Sequence, residues 1–121
     1  MLAALLAVYV WTARKHDLGS AIRRDVAASG GKLIDLPKSV PFPWSRVCIL
    51  GPRSDAKATS ALLGFAWDAN AHSDVLHSDD VTLLVFANKN VVVGAVDYSR
   101  DLAPLAGKCY PRAEARFPLL Q

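Results

Sequence analysis

The densest cluster of side chains that could do chemistry lies between residues 68 and 80. It contains His72 and His77 and four aspartates, Asp68, Asp74, Asp79 and Asp80. Imidazole and carboxylate groups bind divalent metals, but histidines five residues apart do not share one helical face as the zinc-protease motif requires. Paired aspartates before an apolar run are typical of a turn that enters a strand. We therefore expect a solvated loop with no metal and no cofactor. A small hydrolase or metal-binding protein that uses His72 and His77 is an alternative.

The turn from Gly51 to Ser54 is the second place where chemistry is conceivable. It joins a predicted strand to the start of a predicted helix, where backbone N–H groups can bind an anion. It lacks the lysine and the glycine series of a P-loop, and no G-x-S-x-G nucleophile turn occurs in the chain. We therefore expect the protein not to be an enzyme, and we keep Arg53 as a candidate contact for an anion or a partner.

The cysteine content is two residues, Cys48 and Cys109. They do not form a C-x-x-C pair, and neither has a histidine or a third cysteine at zinc-ligand spacing. In a short exported chain, such a pair most simply forms one disulfide. Closing a loop of about 60 residues would stabilise the fold by roughly 4 kcal/mol. The alternative is two buried thiols that act as small apolar side chains.

The first 13 residues carry no charge, and Arg14 and Lys15 follow them directly. An apolar run of this length is typical of the hydrophobic region of a signal peptide and is shorter than the ~20 residues that span a bilayer. Three interpretations are open: a signal sequence that has lost its basic end, a short membrane anchor, and an apolar helix packed on the domain. For an anchor, the positive-inside rule would keep Arg14, Lys15, Arg23 and Arg24 cytoplasmic, which conflicts with a disulfide.

The elements that must position these residues follow from hydrophobic periodicity and turn signals. A helix is predicted over 20–29 and a second over 54–63, where Ser54 is a suitable N-cap and Gly64 a suitable left-handed C-terminal residue. Strands are predicted over 45–50, 81–87 and 91–98, and the last two form a hairpin around 88–90. Both faces of this hairpin are apolar, so helices or a partner must cover both.

The predicted fold class is α+β, with a small and mainly antiparallel sheet, a β-α-β-β core, an N-terminal helix and an irregular C-terminal tail. The helix between the first strand and the hairpin allows one parallel pairing. The expected organisation is a signal-like or anchoring segment over 1–13, a helix and a proline-rich irregular connector over 14–43, and a compact domain over 44–121. A bond between Cys48 and Cys109 would pin the tail across the sheet.

Aromatic residues flank the best-bounded elements, with Trp44 before the first strand and Trp67 after the second helix. Aromatic side chains bury large areas, so both tryptophans are expected in the core or at its edge. The alternative is that Trp44, Trp67 and Arg53 form a partner surface.

The composition excludes several classes of protein. The chain has 121 residues, which predicts one domain. At 52% hydrophobic and 21% charged, it is too apolar for intrinsic disorder. The 14 Lys and Arg against 11 Asp and Glu leave a net charge of +3. Since no basic run dominates, nucleic acid is not an expected partner.

Four segments together resemble a group of small exported bacterial proteins of proteobacterial type. They are Trp44–Pro52 (WSRVCILGP), Leu63–Asp68 (LGFAWD), Asp80–Phe86 (DVTLLVF) and Gly107–Cys109 (GKC). The resemblance spans 44–117 and implies export and a pairing of the two cysteines, but it brings no catalytic residue.

The expected function is therefore that of a small exported or cell-envelope protein, periplasmic or membrane-associated. We expect it to be a non-enzymatic binding or structural module that contacts a protein or an envelope component. The alternative is a membrane-associated cytoplasmic protein anchored by residues 1–13.

Overall fold

A four-stranded antiparallel sheet lies at the centre of the computed structural model, which describes residues 18–119. The predicted signal-like segment, 1–13, lies outside the described residues. In chain order the elements are α1 (18–28), β1 (Leu33–Asp35), α2 (Leu36–Ser39), β2 (Arg46–Leu50), α3 (Ala56–Leu63), β3 (Val81–Asn88), β4 (Val91–Ser99), β5 (Lys108–Pro111) and β6 (Arg116–Pro118). Short 3-10 turns lie at Ala69–Ala71, Val75–His77, Arg100–Leu105 and Arg112–Glu114. The predicted α+β class and the β-α-β-β core are confirmed.

The strand order in the central sheet is β4-β3-β2-β5, and each neighbouring pair is antiparallel. The parallel pairing that we considered is therefore absent from residues 18–119. The chain between β2 and β3 carries α3 back over one face of the sheet, so that β3 runs beside β2 in the opposite direction. The β3–β4 hairpin is confirmed, and Lys89 in its turn has a positive φ of 56°.

Both faces of the sheet are covered, as the two-sided apolar pattern of β3 predicts. Leu84 and Phe86 point to one face, where they pack with Leu18 and Ile22 of α1 and with Phe117 of β6. Leu83 and Val85 point to the opposite face, which α3 covers through Leu63. Successive side chains of a strand alternate between faces, so one strand serves both halves of the core.

Helix α3 differs from its prediction at one end and agrees with it at the other. Its N-cap is Asp55, whose carboxylate accepts from the N–H of Ala58 at 2.7 Å. Ser54, the predicted cap, instead donates to the carbonyl of Gly51. At the C-terminus Gly64 has a φ of 88°, as predicted, because the left-handed conformation costs glycine no Cβ clash.

The predicted connector and C-terminal tail contain short regular elements that the sequence did not predict. Residues 32–43 contain β1 and α2, while β5 and β6 lie in the tail. Strand β5 forms an edge of the central sheet, and β6 pairs with β1 in a separate two-stranded sheet. Strands of three or four residues are too short to show a periodicity, and their partners lie far away in the sequence.

The compact unit also begins earlier than the predicted boundary at residue 44. Ile22, Ile34, Leu36 and Val40 are fully buried and belong to the core on the α1 face of the sheet. The segment 18–43 is therefore part of the folded domain and not a connector in front of it.

Candidate functional site

The disulfide between Cys48 and Cys109 is present, which confirms the predicted pairing. The two residues lie directly opposite each other in β2 and β5, with their Cα atoms 3.9 Å apart and 61 positions apart in sequence. Cys48 is fully buried and Cys109 is half-buried. No free cysteine is present in residues 18–119, so a thiol nucleophile is not available in the folded, oxidised domain.

The disulfide holds an edge strand that is otherwise weakly attached. Strand β5 has four residues and pairs only with β2 in the part of the chain that the structure describes. A cross-link that closes a loop of 61 positions stabilises by about 4 kcal/mol in the chain-entropy model. The C-terminal tail therefore contributes β5 to the central sheet, and the disulfide links this strand covalently to β2.

Trp67 is held in a defined position just beyond α3. The Ser60 hydroxyl accepts from the Trp67 N–H at 2.9 Å and donates to the Trp67 carbonyl at 3.0 Å. The indole stacks on the His72 ring with centroids 5.1 Å apart and planes within 5° of each other. Trp67 packs against the core on the α3 face but is only half-buried. We call Phe65, Trp67 and His72 the aromatic cluster.

Arg46 supports the aromatic cluster from β2, and the sequence reasoning did not single it out. Its Nη2 donates to the carbonyl of Leu63 at 2.7 Å, at the negative end of the α3 dipole. Its guanidinium lies over the Phe65 ring, 6.0 Å from the centroid. The only signal in the sequence was a basic residue at the start of an apolar strand.

Arg53 is bound to a carboxylate of the chain itself. Its Nε and Nη2 donate to the two oxygens of Asp79 at 2.7 and 3.1 Å, a bidentate geometry. This hydrogen bonding, with the charge of Asp79, raises the pKa of Arg53, and it lowers the pKa of Asp79. The Arg53 side chain is 63% exposed. Arg53 therefore links the turn after β2 to the loop before β3 through its ion pair with Asp79. A contact between Arg53 and a partner stays a prediction.

Trp44 lies in the interior, and its place in the predicted partner surface is wrong. The residue is 3% exposed. Its Nε1 donates to the carbonyl of Val40 at 2.9 Å, and its ring contacts Phe86 edge-on at 5.0 Å. Arg112 covers the ring from the other side, with the guanidinium carbon 4.9 Å from the centroid. The expectation that Trp44 lies in the core is confirmed, and the alternative of a partner surface does not hold for this residue.

The side chains around His72 and His77 hold the loop through protein contacts. Ser73 donates to Asp97 of β4, which also accepts from the N–H of Asp74 at 3.1 Å. Asp80 lies 3.9 Å from Arg100. Within residues 18–119, no group of three or more His, Cys, Asp or Glu side chains is placed so that it could hold a metal ion.

Among the described residues, no helix has both the length and the apolar character needed to cross a bilayer. The chain matches no protein-family model, no curated protein and no solved structure.

Proposed function

We propose that the protein is a small exported component of the bacterial cell envelope that acts by binding a protein or an envelope component. The observation that carries the proposal is the disulfide between Cys48 and Cys109. Disulfides persist in oxidising compartments such as the periplasm and are rare in the cytosol, where thiols are kept reduced. The four segments that resemble small exported bacterial proteins support the same location.

The aromatic cluster supports a binding role. Trp67 is half-exposed, its backbone is fixed by two hydrogen bonds to Ser60, and its indole is held by stacking on the His72 ring. Large aromatic side chains that are already rigid lose little conformational freedom on binding, which is why they dominate contact surfaces. We therefore place the contact surface at the end of α3, where the cluster flanks the exposed residue Ala66.

The location is tested by the thiol state and by a reporter. The full chain is purified from its native host without reductant, denatured, and titrated for thiols. We expect no free thiol before reduction and two after it, because the chain contains two cysteines. A reporter enzyme that is active only outside the cytoplasm, fused after Gln121, should be active. Two free thiols together with a silent reporter would overturn the proposed location.

The contact surface is tested by photo-crosslinking in living cells. A photoreactive phenylalanine analogue at Ala66 should give light-dependent adducts, since this exposed position lies between two residues of the aromatic cluster. The matched control is Ala113, which is also exposed and lies on the short turn between β5 and β6. Equal adduct yields at the two positions, or none at either, would contradict a contact surface at the aromatic cluster.

A further inference from the structure

Helix α1 buries one face against the central sheet and leaves the other open. Leu18 and Ile22 are buried, and Val26 packs partly against the same core. The opposite face is made of small and basic residues that are all exposed, Ser20, Arg23, Arg24, Ala27 and Ala28. At 100° per residue these five positions lie within one arc of the helix. The open face of α1 is therefore flat, because its side chains between the arginines are small.

The charge on this face is cationic. The one carboxylate of α1 is Asp25, which lies at the flank of the helix with a side chain only 16% exposed. It accepts from the Ser39 hydroxyl at 2.8 Å, so it is turned toward α2. Arg24 lies 3.6 Å from this carboxylate but keeps its side chain 75% exposed. Asp25 therefore tethers α1 to α2 and pairs with Arg24 from the flank of the helix, while the second arginine, Arg23, leaves the open face with an excess of positive charge.

One further cation, Lys38, extends the same surface. Lys38 of α2 is exposed, and it lies near enough to Asp25 for its positive charge to contribute to the lowered pKa of that carboxyl. Arg23 has no carboxylate within 4.0 Å in the part of the chain that the structure describes. By contrast with Arg23, four other exposed arginines each have an acidic partner, in the pairs Arg24–Asp25, Arg53–Asp79, Arg100–Asp80 and Arg116–Asp35. We call Arg23, Arg24 and Lys38 the α1 basic face.

We propose that the α1 basic face docks on an anionic phospholipid bilayer. Guanidinium groups match the phosphodiester oxygens of lipid headgroups with paired hydrogen bonds. The alanines and the serine between the arginines allow the helix to approach the headgroups closely. The sequence just before α1 favours a bilayer over other polyanions, since Arg14 and Lys15 follow the apolar run 1–13. A single short apolar segment binds membranes only weakly, and stable binding needs a second signal, which a basic patch can supply.

This inference rests on the envelope location proposed above but has its own test. The full-length protein is sedimented with vesicles of phosphatidylcholine alone and with vesicles that also contain phosphatidylglycerol. We expect stronger binding to the anionic vesicles, and we expect the difference to shrink near 1 M salt, where the screening length is about 3 Å. Each basic side chain at such a surface strengthens binding roughly five-fold. The R23Q/R24Q variant should therefore lose roughly 30-fold in binding to anionic vesicles.

The matched control removes two cations from elsewhere on the surface. Lys57 on α3 and Lys108 on β5 are exposed, and α3 covers the sheet face opposite α1. The K57Q/K108Q variant has the same net charge as R23Q/R24Q and should bind almost as well as the wild type. Equal losses in the two variants would show that total charge acts and would overturn the proposal. No preference of the wild type for anionic vesicles would also overturn it.

Heparin in solution separates a bilayer from a general polyanion. If heparin binds the wild type as tightly as the anionic vesicles do, and R23Q/R24Q weakens both equally, the assignment to a lipid surface is wrong. A protein that is exported with an intact disulfide but shows no lipid preference overturns this inference and leaves the proposed function standing.

Discussion

Two buried threonines differ in whether their hydroxyl groups are hydrogen-bonded. Thr59 of α3 and Thr82 of β3 are both fully buried. The Thr59 hydroxyl donates to the carbonyl of Asp55 at 2.9 Å, one turn earlier in the helix. The Thr82 hydroxyl has no hydrogen-bond partner in the described residues. A buried polar group without a partner costs free energy because it gives up its hydrogen bonds to water.

We predict opposite effects for the same substitution at these two sites. Thr82→Val should raise the free energy of unfolding by about 1 kcal/mol, since it removes an unpaired hydroxyl and keeps the branched shape. Thr59→Val should lower it by about 1 kcal/mol, since a satisfied hydrogen bond is lost. Urea unfolding followed by tryptophan fluorescence measures both. A loss of stability in both variants would show that the Thr82 hydroxyl has a partner in solution.

At the scale of elements, Arg112 joins the tail to the segment before β2. Its Nη1 donates to the carbonyl of Phe42 at 3.0 Å, and the carbonyls of Val40 and Trp44 lie 3.5 Å from its two terminal nitrogens. The same guanidinium covers the Trp44 ring. Prolines interrupt this segment and prevent it from forming a strand of its own. Its carbonyls are therefore satisfied by a side chain.

We predict that Arg112→Met lowers the free energy of unfolding by about 2 kcal/mol, because hydrogen bonds from a charged donor to buried carbonyls are lost. Arg112→Lys should recover only part of the loss, since an ammonium group cannot reproduce the planar fork. The control is Arg116→Met, which breaks an exposed ion pair with Asp35 and should cost less than about 1 kcal/mol. Chemical unfolding ranks the three variants. Equal losses for Arg112→Met and Arg116→Met would contradict the bridging role.

For the whole molecule, acid should weaken two contacts together. They are the hydrogen bond from Ser39 to Asp25, which attaches α1 to α2, and the ion pair between Arg53 and Asp79. The hydrogen bond from Ser39, opposed by partial burial and aided by the charges of Arg24 and Lys38, lowers the pKa of Asp25. The hydrogen bond from Arg53 and its charge lower the pKa of Asp79. A carboxyl whose pKa is lower in the folded than in the unfolded state stabilises the fold above its unfolded pKa. That stability is lost as the pH falls through the folded value.

We therefore predict that the thermal midpoint falls as the pH is lowered below about 4, the range in which carboxyl groups are protonated. Asp25→Asn should reduce the slope of this fall, since it removes one of the two linked carboxyls. The control is Asp101→Asn, since Asp101 is exposed and forms no ion pair within residues 18–119. Thermal unfolding followed by circular dichroism across the acid range measures the slopes. A slope in Asp25→Asn equal to that of the control would rule out a linked role for Asp25.

The sequence alone determined the elements whose signals are local. The C-terminal end of α3 at Gly64 and the β3–β4 hairpin followed from turn residues and periodicity. The covering of both hairpin faces followed from alternation, since neither face could lie in water. The pairing of Cys48 with Cys109 was predicted from the two cysteines of an exported chain, with two buried thiols as the alternative, and the structure contains the disulfide.

Only the tertiary structure decided which distant groups meet. It paired β5 with β2 and β6 with β1. It placed Trp44 inside the core, bound Arg53 to Asp79, and turned Asp25 away from the open face of α1. Short strands and single charged side chains have no periodicity of their own, and their energies depend on partners brought together by packing. The local pattern therefore specifies each element, while the partners of these residues are specified only when the whole chain is folded.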